Sequence, residues 1–256
     1  MTEAEAGDQK LGSWPWALAS GGTVTDHDEA ALVSAMTSLA AELDRPAPDG
    51  LHLPEFGALA PPDSSLAIEA IELWTEATTV WLREHGYRTW YFARGLAAVE
   101  GLTPDPELLF VACLLHDLGL TDRAAPSVAQ PCFAVSGATA ARAVVEPHRS
   151  SHAADRVAEA IAMHLNLDVP LDDGDLNYLV AASTLVDVAG VRLQLLPARF
   201  VEQVLVAHPR GGFGDRVGTA LEDMGDRYPH TRCAFMTETL GVGDFARGCP
   251  LEEPSS

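Results

Sequence analysis

Residues 108–120 read Leu-Leu-Phe-Val-Ala-Cys-Leu-Leu-His-Asp-Leu-Gly-Leu, so His116 and Asp117 stand side by side directly after eight apolar residues. An ionised aspartate in that setting carries a heavy desolvation cost unless it is paired or holds a cation. Asp187 is a second such acid, embedded in Tyr178-Leu-Val-Ala-Ala-Ser-Thr-Leu-Val-Asp187-Val-Ala-Gly190. The chain's one lysine is Lys10, so neither acid has a lysine nearby in sequence to neutralise it. Two buried acids with a neighbouring imidazole favour a divalent metal, which takes nitrogen and oxygen donors of this kind. A pair of Asp–Arg bridges is the alternative. A further ligand can be sought upstream, in Arg83-Glu-His85-Gly-Tyr-Arg88-Thr-Trp-Tyr-Phe92. His85 falls at a helix start with Arg88 one turn later, so both can point into one cavity. The order is then His85, His116-Asp117, Asp187, with gaps of 31 and 70 residues.

Helices must position these groups. Apolar residues recur at helical spacing over 28–43, 65–82, 86–100, 107–118, 136–146, 152–165, 173–189, 197–207, 214–226 and 233–239, separated by Pro, Gly and Asp clusters. Period-2 alternation is nearly absent, which predicts an all-α bundle. The 256 residues suit one domain with an appendage. Residues 1–56 read as an N-terminal arm, loose up to about residue 26 apart from the sticky patch around Trp14 and Trp16, followed by a helix. Residues 57–240 read as the main domain and 241–256 as a flexible tail.

Sixteen Lys+Arg against 37 Asp+Glu give a net charge of −21, which argues against nucleic-acid or anionic-membrane partners. The acidic start lacks the basic flank and apolar stretch of a secretory signal, and the eight-residue run 108–115 is far too short to span a bilayer. A cytoplasmic protein is expected. The four cysteines form no C-x-x-C pair, so reduced thiols are expected. No phosphate-cradling glycine motif is present.

The H…HD…D order resembles the HD-domain superfamily of metal-dependent hydrolases, built on a helical bundle. Within it the chain is most similar to the cyanamide hydratase-like family. The resemblance is carried by Pro62-Asp-Ser-Ser65, His85-Gly-Tyr-Arg-Thr-Trp-Tyr-Phe92, Leu114-Leu-His-Asp-Leu-Gly-Leu-Thr-Asp122 and Phe133-Ala-Val-Ser-Gly-Ala-Thr-Ala-Ala-Arg142. Ala160-Ile-Ala-Met-His164, Leu185-Val-Asp187-Val-Ala-Gly190 and Pro209-Arg210-Gly-Gly-Phe213 extend it, so that it covers about residues 57–240. The relatives' Arg-Phe-Glu-Val-Asp-Gly string is replaced here by Cys132-Phe-Ala-Val-Ser-Gly137, with Ala134 and Ser136 in place of both acids.

The resemblance implies that His85, His116, Asp117 and Asp187 hold a divalent ion (Zn, Fe or Mn). One ion is expected, because Phe133 occupies a slot where dinuclear relatives supply a histidine. The implied reaction is addition of metal-activated water to a small nitrile-like or amide-like substrate, cyanamide to urea being the type. His164 or Asp122 would shuttle the proton and Arg88 would hold the ligand carboxylates or the substrate. His148 and His152 are expected in solvent, and His27, His52, His208 and His230 in loops. Two other readings stay open: a phosphohydrolase acting on a nucleotide or other phosphate ester, and a degenerate fold serving as a binding module. The expected partner is a small-molecule substrate, and homo-oligomerisation is left open.

Overall fold

The computed structural model describes residues 9–252 apart from positions 49 and 52. His52 and the outermost residues of the expected arm and tail, 1–8 and 253–256, therefore lie outside the described residues. Within them the chain forms twelve α-helices: α1 Trp14–Ser20, α2 Asp26–Leu43, α3 Ser65–Ala77, α4 Val80–Glu100, α5 Pro106–Leu115, α6 Phe133–Val145, α7 Ser151–Met163, α8 Asp175–Ala189, α9 Ala198–Ala207, α10 Phe213–Arg227, α11 Arg232–Glu238 and α12 Val242–Arg247. The only extended pairing among the described residues is one isolated bridge between Thr23 and Thr231. None of these helices is long and apolar enough to cross a membrane.

The bundle is organised around α5, which packs against α3, α4, α6, α7 and α8. Pro106 occupies its first turn and the Asp105 carboxylate accepts from the Glu107 and Leu108 amides, so the start is capped by sequence. Leu108 to Leu115 are buried on every side, as expected of a helix that is apolar all round. His116 and Asp117 follow at its end, where the chain turns sharply through Leu118–Leu120. That turn lies directly against the first turn of α6: a Cβ on Gly119 would come within 1.9 Å of the Phe133 carbonyl oxygen. Glycine is the residue that lets the His-Asp turn and α6 approach so closely.

The predicted helix 65–82 breaks in two. β-branched Thr78, Thr79 and Val80 weaken its propagation, and the Thr78 hydroxyl turns back to the Trp74 carbonyl. Arg83 then donates to the Thr75 and Thr78 carbonyls at 2.8 and 3.0 Å, closing the end of α3. As a result α4 begins at Val80, and His85 sits in its second turn rather than at a helix start.

Residues 9–26 are not a loose arm. Trp14 and Trp16 are buried, Trp16 lies 5.2 Å from the Arg232 guanidinium, and the Asn166 amide donates to the Leu11 carbonyl. The described part of the expected flexible tail is likewise built in: α12 packs on α10, Cys249 is buried, and Glu252 pairs with Arg210. α1 and α12, of seven and six residues, are too short to show a period in the sequence.

A polar knot fixes the C-terminal end of α2. Arg45 donates to both Glu100 oxygens at 2.6 and 3.0 Å, and Tyr178 adds a bond to the same carboxylate. The bond from Arg45 holds the Glu100 carboxyl below its ordinary value of 4.5. The folded chain therefore binds fewer protons there than the unfolded chain, so this contribution to stability is complete above about pH 4.5 and fades as pH falls. Glu100→Gln is expected to flatten the acid limb of a melting temperature against pH profile, and an unchanged limb would show that the knot contributes nothing.

Candidate metal centre

Three side chains converge at the end of α5. One ligand atom from each of His85, His116 and Asp117 can be chosen so that all lie within 4.8 Å of one another, and all three residues are buried. His85 comes from α4, and its Nε2 is 2.9 Å from Nε2 of His116 and 3.5 Å from Asp117 Oδ2. Asp117 Oδ2 is 3.4 Å from His116 Nε2. From the end of α7, His164 turns its Nε2 toward the other carboxylate oxygen, at 3.6 Å.

The second nitrogen of each ring decides what the first can do. His85 Nδ1 lies 2.6 Å from Asp187 Oδ2, His116 Nδ1 2.8 Å from the Cys113 carbonyl and His164 Nδ1 2.5 Å from the Ile161 carbonyl. All three partners only accept, so all three Nδ1 atoms carry a proton and each neutral ring presents a lone pair on Nε2. Two lone pairs facing each other at 2.9 Å require a positive centre beside them. A proton on one ring can supply it, and a divalent ion fits the same donor set of imidazole nitrogens and a carboxylate, each ring oriented by its outer hydrogen bond.

The titrations follow that geometry. Burial pushes His85 down, against the pull of Asp187. Burial acts the same way on His116, but Asp117, the Cys113 carbonyl and Asp187 together outweigh it and the ring ends up raised. Burial would raise the Asp117 carboxyl, yet His116, then His85 and His164, hold it well below the usual carboxylate range. His164 is lowered to about 3, first by burial and then by the neighbouring His116, so it is neutral near pH 7.

Asp187, the fourth expected ligand, lies on the Nδ1 side of His85 rather than beside the Nε2 cluster. Its carboxylate takes a bond from Arg88 Nε at 2.9 Å and one from Arg210 Nη1 at 2.6 Å, and faces the outer nitrogen of His85. Asp187 thus carries two Asp–Arg bridges, while histidines surround Asp117. Burial raises the Asp187 carboxyl, but Arg88, His85 and Arg210 together leave it far below the ordinary value. Arg88 accordingly holds Asp187 and the Pro209 carbonyl rather than facing a substrate. Phe213 stacks on His85 with centroids 4.4 Å apart and lies under both guanidinium groups.

A cavity of about 40 Å³ opens on His85, Asp117 and His164. Thr184 also lines it, and its buried hydroxyl has no hydrogen-bond partner. The remaining walls, among them Phe133, Leu185 and Val217, are apolar. Asp122 is not there: it is exposed and lines a separate surface depression beside Arg123, because the chain leaves the core at Thr121. His27 and His152 are exposed, while His148 and His208 pair with Glu69 and Glu84. Ser136 back-bonds to the Phe133 carbonyl. Sequence reasoning gave no role to Arg210, Glu252 or Thr184. Arg210 stood within a quoted stretch, but nothing in the residue order places it on Asp187.

Residues 82–194 match the family model described as HD domain, which supports the HD-domain superfamily. No curated protein matches the chain. The matched span holds His85, His116, Asp117, His164 and Asp187, and leaves out α1, α2 and the segment carrying Arg210 and Glu252.

Proposed function

We propose that the protein is a metal-dependent hydrolase that adds water to a small uncharged nitrile-like or amide-like carbon, with conversion of cyanamide to urea as the model reaction. The observation that carries this reading is the cavity: three histidine Nε2 atoms gather around one carboxylate, and the small space in front of them is otherwise apolar. His85 Nε2, His116 Nε2 and the Asp117 carboxylate would hold the ion. When bound, it would lower the pKa of a coordinated water toward neutrality and polarise the electrophile.

The protein's own groups supply the rest. Asp187 keeps His85 in the Nδ1–H form, with Arg88 and Arg210 keeping Asp187 charged. His164, kept neutral by burial, would accept at Nε2 the proton of the attacking water and return it to the substrate nitrogen. The free Thr184 hydroxyl orients that nitrogen, and the apolar walls exclude bulk water.

A phosphate ester fits less well, since phosphoryl transfer needs cationic groups around three oxygens. Among the described residues, no arginine or lysine lines the cavity. Arg83 closes α3, Arg88 holds Asp187, Arg94 lies over Trp90 and Arg123 is exposed.

The test is urea release from cyanamide by protein purified without chelator, beside a metal-stripped control. Metal-dependent urea is expected. Metal without urea would discard cyanamide and turn the search to other nitriles and amides, and phosphate release from a phosphomonoester panel would overturn the reading. Thr184→Val, which keeps the shape but removes the hydroxyl, is expected to lower kcat/KM about tenfold at unchanged metal content, in line with one lost hydrogen bond of roughly 1.4 kcal/mol. An unchanged kcat/KM would remove Thr184 from the site.

A further inference from the structure

A second hollow, of about 210 Å³, lies between α2 and the α8–α12 side of the bundle. Met36, Leu39, Ala40 and Leu43 supply one wall, at the three- and four-residue steps that place them on one helix face. Among the described residues no charged side chain lines the hollow, although the chain carries a net charge of −21. Leu43 and Phe245, on its walls, are 54% and 48% exposed. Leu167, Leu185, Val188 and Val242 line both this hollow and the cavity over the metal centre. Those four apolar side chains are thus the common wall of the two spaces, and Leu185 directly follows Thr184 in the chain.

A space of about 40 Å³ takes little more than a reacting head group. Anything attached to that group must leave through a neighbouring space, and the groove is contiguous, apolar and open to solvent at Leu43 and Phe245. We propose that the groove binds an apolar tail of the substrate, so that the substrate class is a small neutral electrophilic group bearing an alkyl or aryl chain, with Leu185 and Leu167 turning aside to pass it. The inference rests on the metal-dependent reading above and specifies its substrate. The groove wall on α2 lies outside the segment that matches the HD domain, so chain-length selection would be a property added by the N-terminal helix.

The experiment titrates metal-loaded protein with acetohydroxamate, butanohydroxamate, hexanohydroxamate and octanohydroxamate, which share a metal-binding head and differ only in tail. Affinity is expected to rise about threefold to fourfold per added methylene until the groove is filled. Leu43→Asp and Ala40→Trp, both at exposed positions away from the metal centre, are expected to abolish the rise and leave acetohydroxamate affinity unchanged. In parallel, metal-free protein is titrated with N-phenyl-1-naphthylamine, an uncharged apolar fluorophore, whose emission is expected to rise with wild type and not with Leu43→Asp.

Equal affinity for all four hydroxamates, or no fluorophore binding, overturns the groove proposal and leaves the metal reading standing. Failure of acetohydroxamate with retained, Leu43-dependent fluorophore binding overturns the metal reading instead. A dimer in sedimentation that Leu43→Asp dissociates, with the chain-length series unaltered, would make the groove a contact between copies and overturn the proposal.

Discussion

Asp187→Ala is expected to lower the melting temperature of the metal-stripped protein by roughly 10 °C, before any question of metal binding arises. The substitution leaves Arg88 and Arg210 without their shared counter-charge, and their side chains are only 0% and 4% exposed. A guanidinium does not release its proton to escape that situation. Breaking a buried pair by removing one partner costs about 3–5 kcal/mol, and a chain of this size loses about 2–4 °C per kcal/mol. Asp187→Asn keeps the shape and an acceptor for one guanidinium, so it should fall between wild type and Asp187→Ala. Calorimetry on chelator-treated samples reads this directly. If Asp187 served chiefly as a metal ligand, metal-stripped wild type and variant would melt together, and that result would refute the role assigned here.

The same carboxylate also fixes the His85 ring through Nδ1, so a second effect follows once metal is added. Outer hydrogen-bond partners of metal-binding histidines typically contribute 10–100-fold in affinity. Arg210→Met should reproduce a weaker version of both effects. Arg210 reaches the Asp187 carboxylate and backbone carbonyl at 2.6 and 2.7 Å and ties them to Glu252.

Why Asp187 and Asp117 looked alike in the sequence, and differ in the structure, is a matter of what long-range packing supplies. Both are single acids in apolar helices, and the desolvation argument applies equally to each. It identifies an acid that must be compensated without naming the compensating group. His116 is adjacent to Asp117 in the chain and His85 lies on a helix whose period could be read, so that cluster was accessible to spacing arguments. Arg210 reaches Asp187 only because the loop before α10 folds back over α8, and Glu252 arrives from the far end of the chain. Neither contact leaves a periodic signal. Asp122 shows the opposite failure: its nearness to Asp117 in sequence suggested the cavity, but the turn built on Gly119 directs the chain outward at Thr121. The long helices were legible because each buries one apolar stripe or is apolar throughout. α1 and α12 span 7 and 6 residues and are held by what they dock against, Trp16 beside Arg232 and α12 on α10.

Asp117→Asn and His116→Ala are expected to do the reverse of Asp187→Ala. Each removes a group that would hold the ion, so metal per chain should fall from about one to background, and metal-dependent turnover about a thousandfold or more with it. The metal-stripped protein, by contrast, should tolerate Asp117→Asn at slightly alkaline pH. Any positive charge that the imidazoles carry beside Asp117 is a proton, which can leave when the carboxylate is removed, so no uncompensated buried cation remains. His116→Ala is the costlier of the two, because it leaves the buried Asp117 carboxylate without its principal partner, so the stripped variant should melt below Asp117→Asn. The pairing of results is the test: elemental analysis shows which acid the metal needs, and melting of the stripped protein shows which acid the fold needs. Full metal stoichiometry with both His116 and Asp117 altered would sink the metal centre. A melting temperature that collapses equally for Asp117→Asn and Asp187→Ala would mean that both acids serve the fold in the same way, and that the three imidazole lone pairs around Asp117 have been given the wrong chemistry.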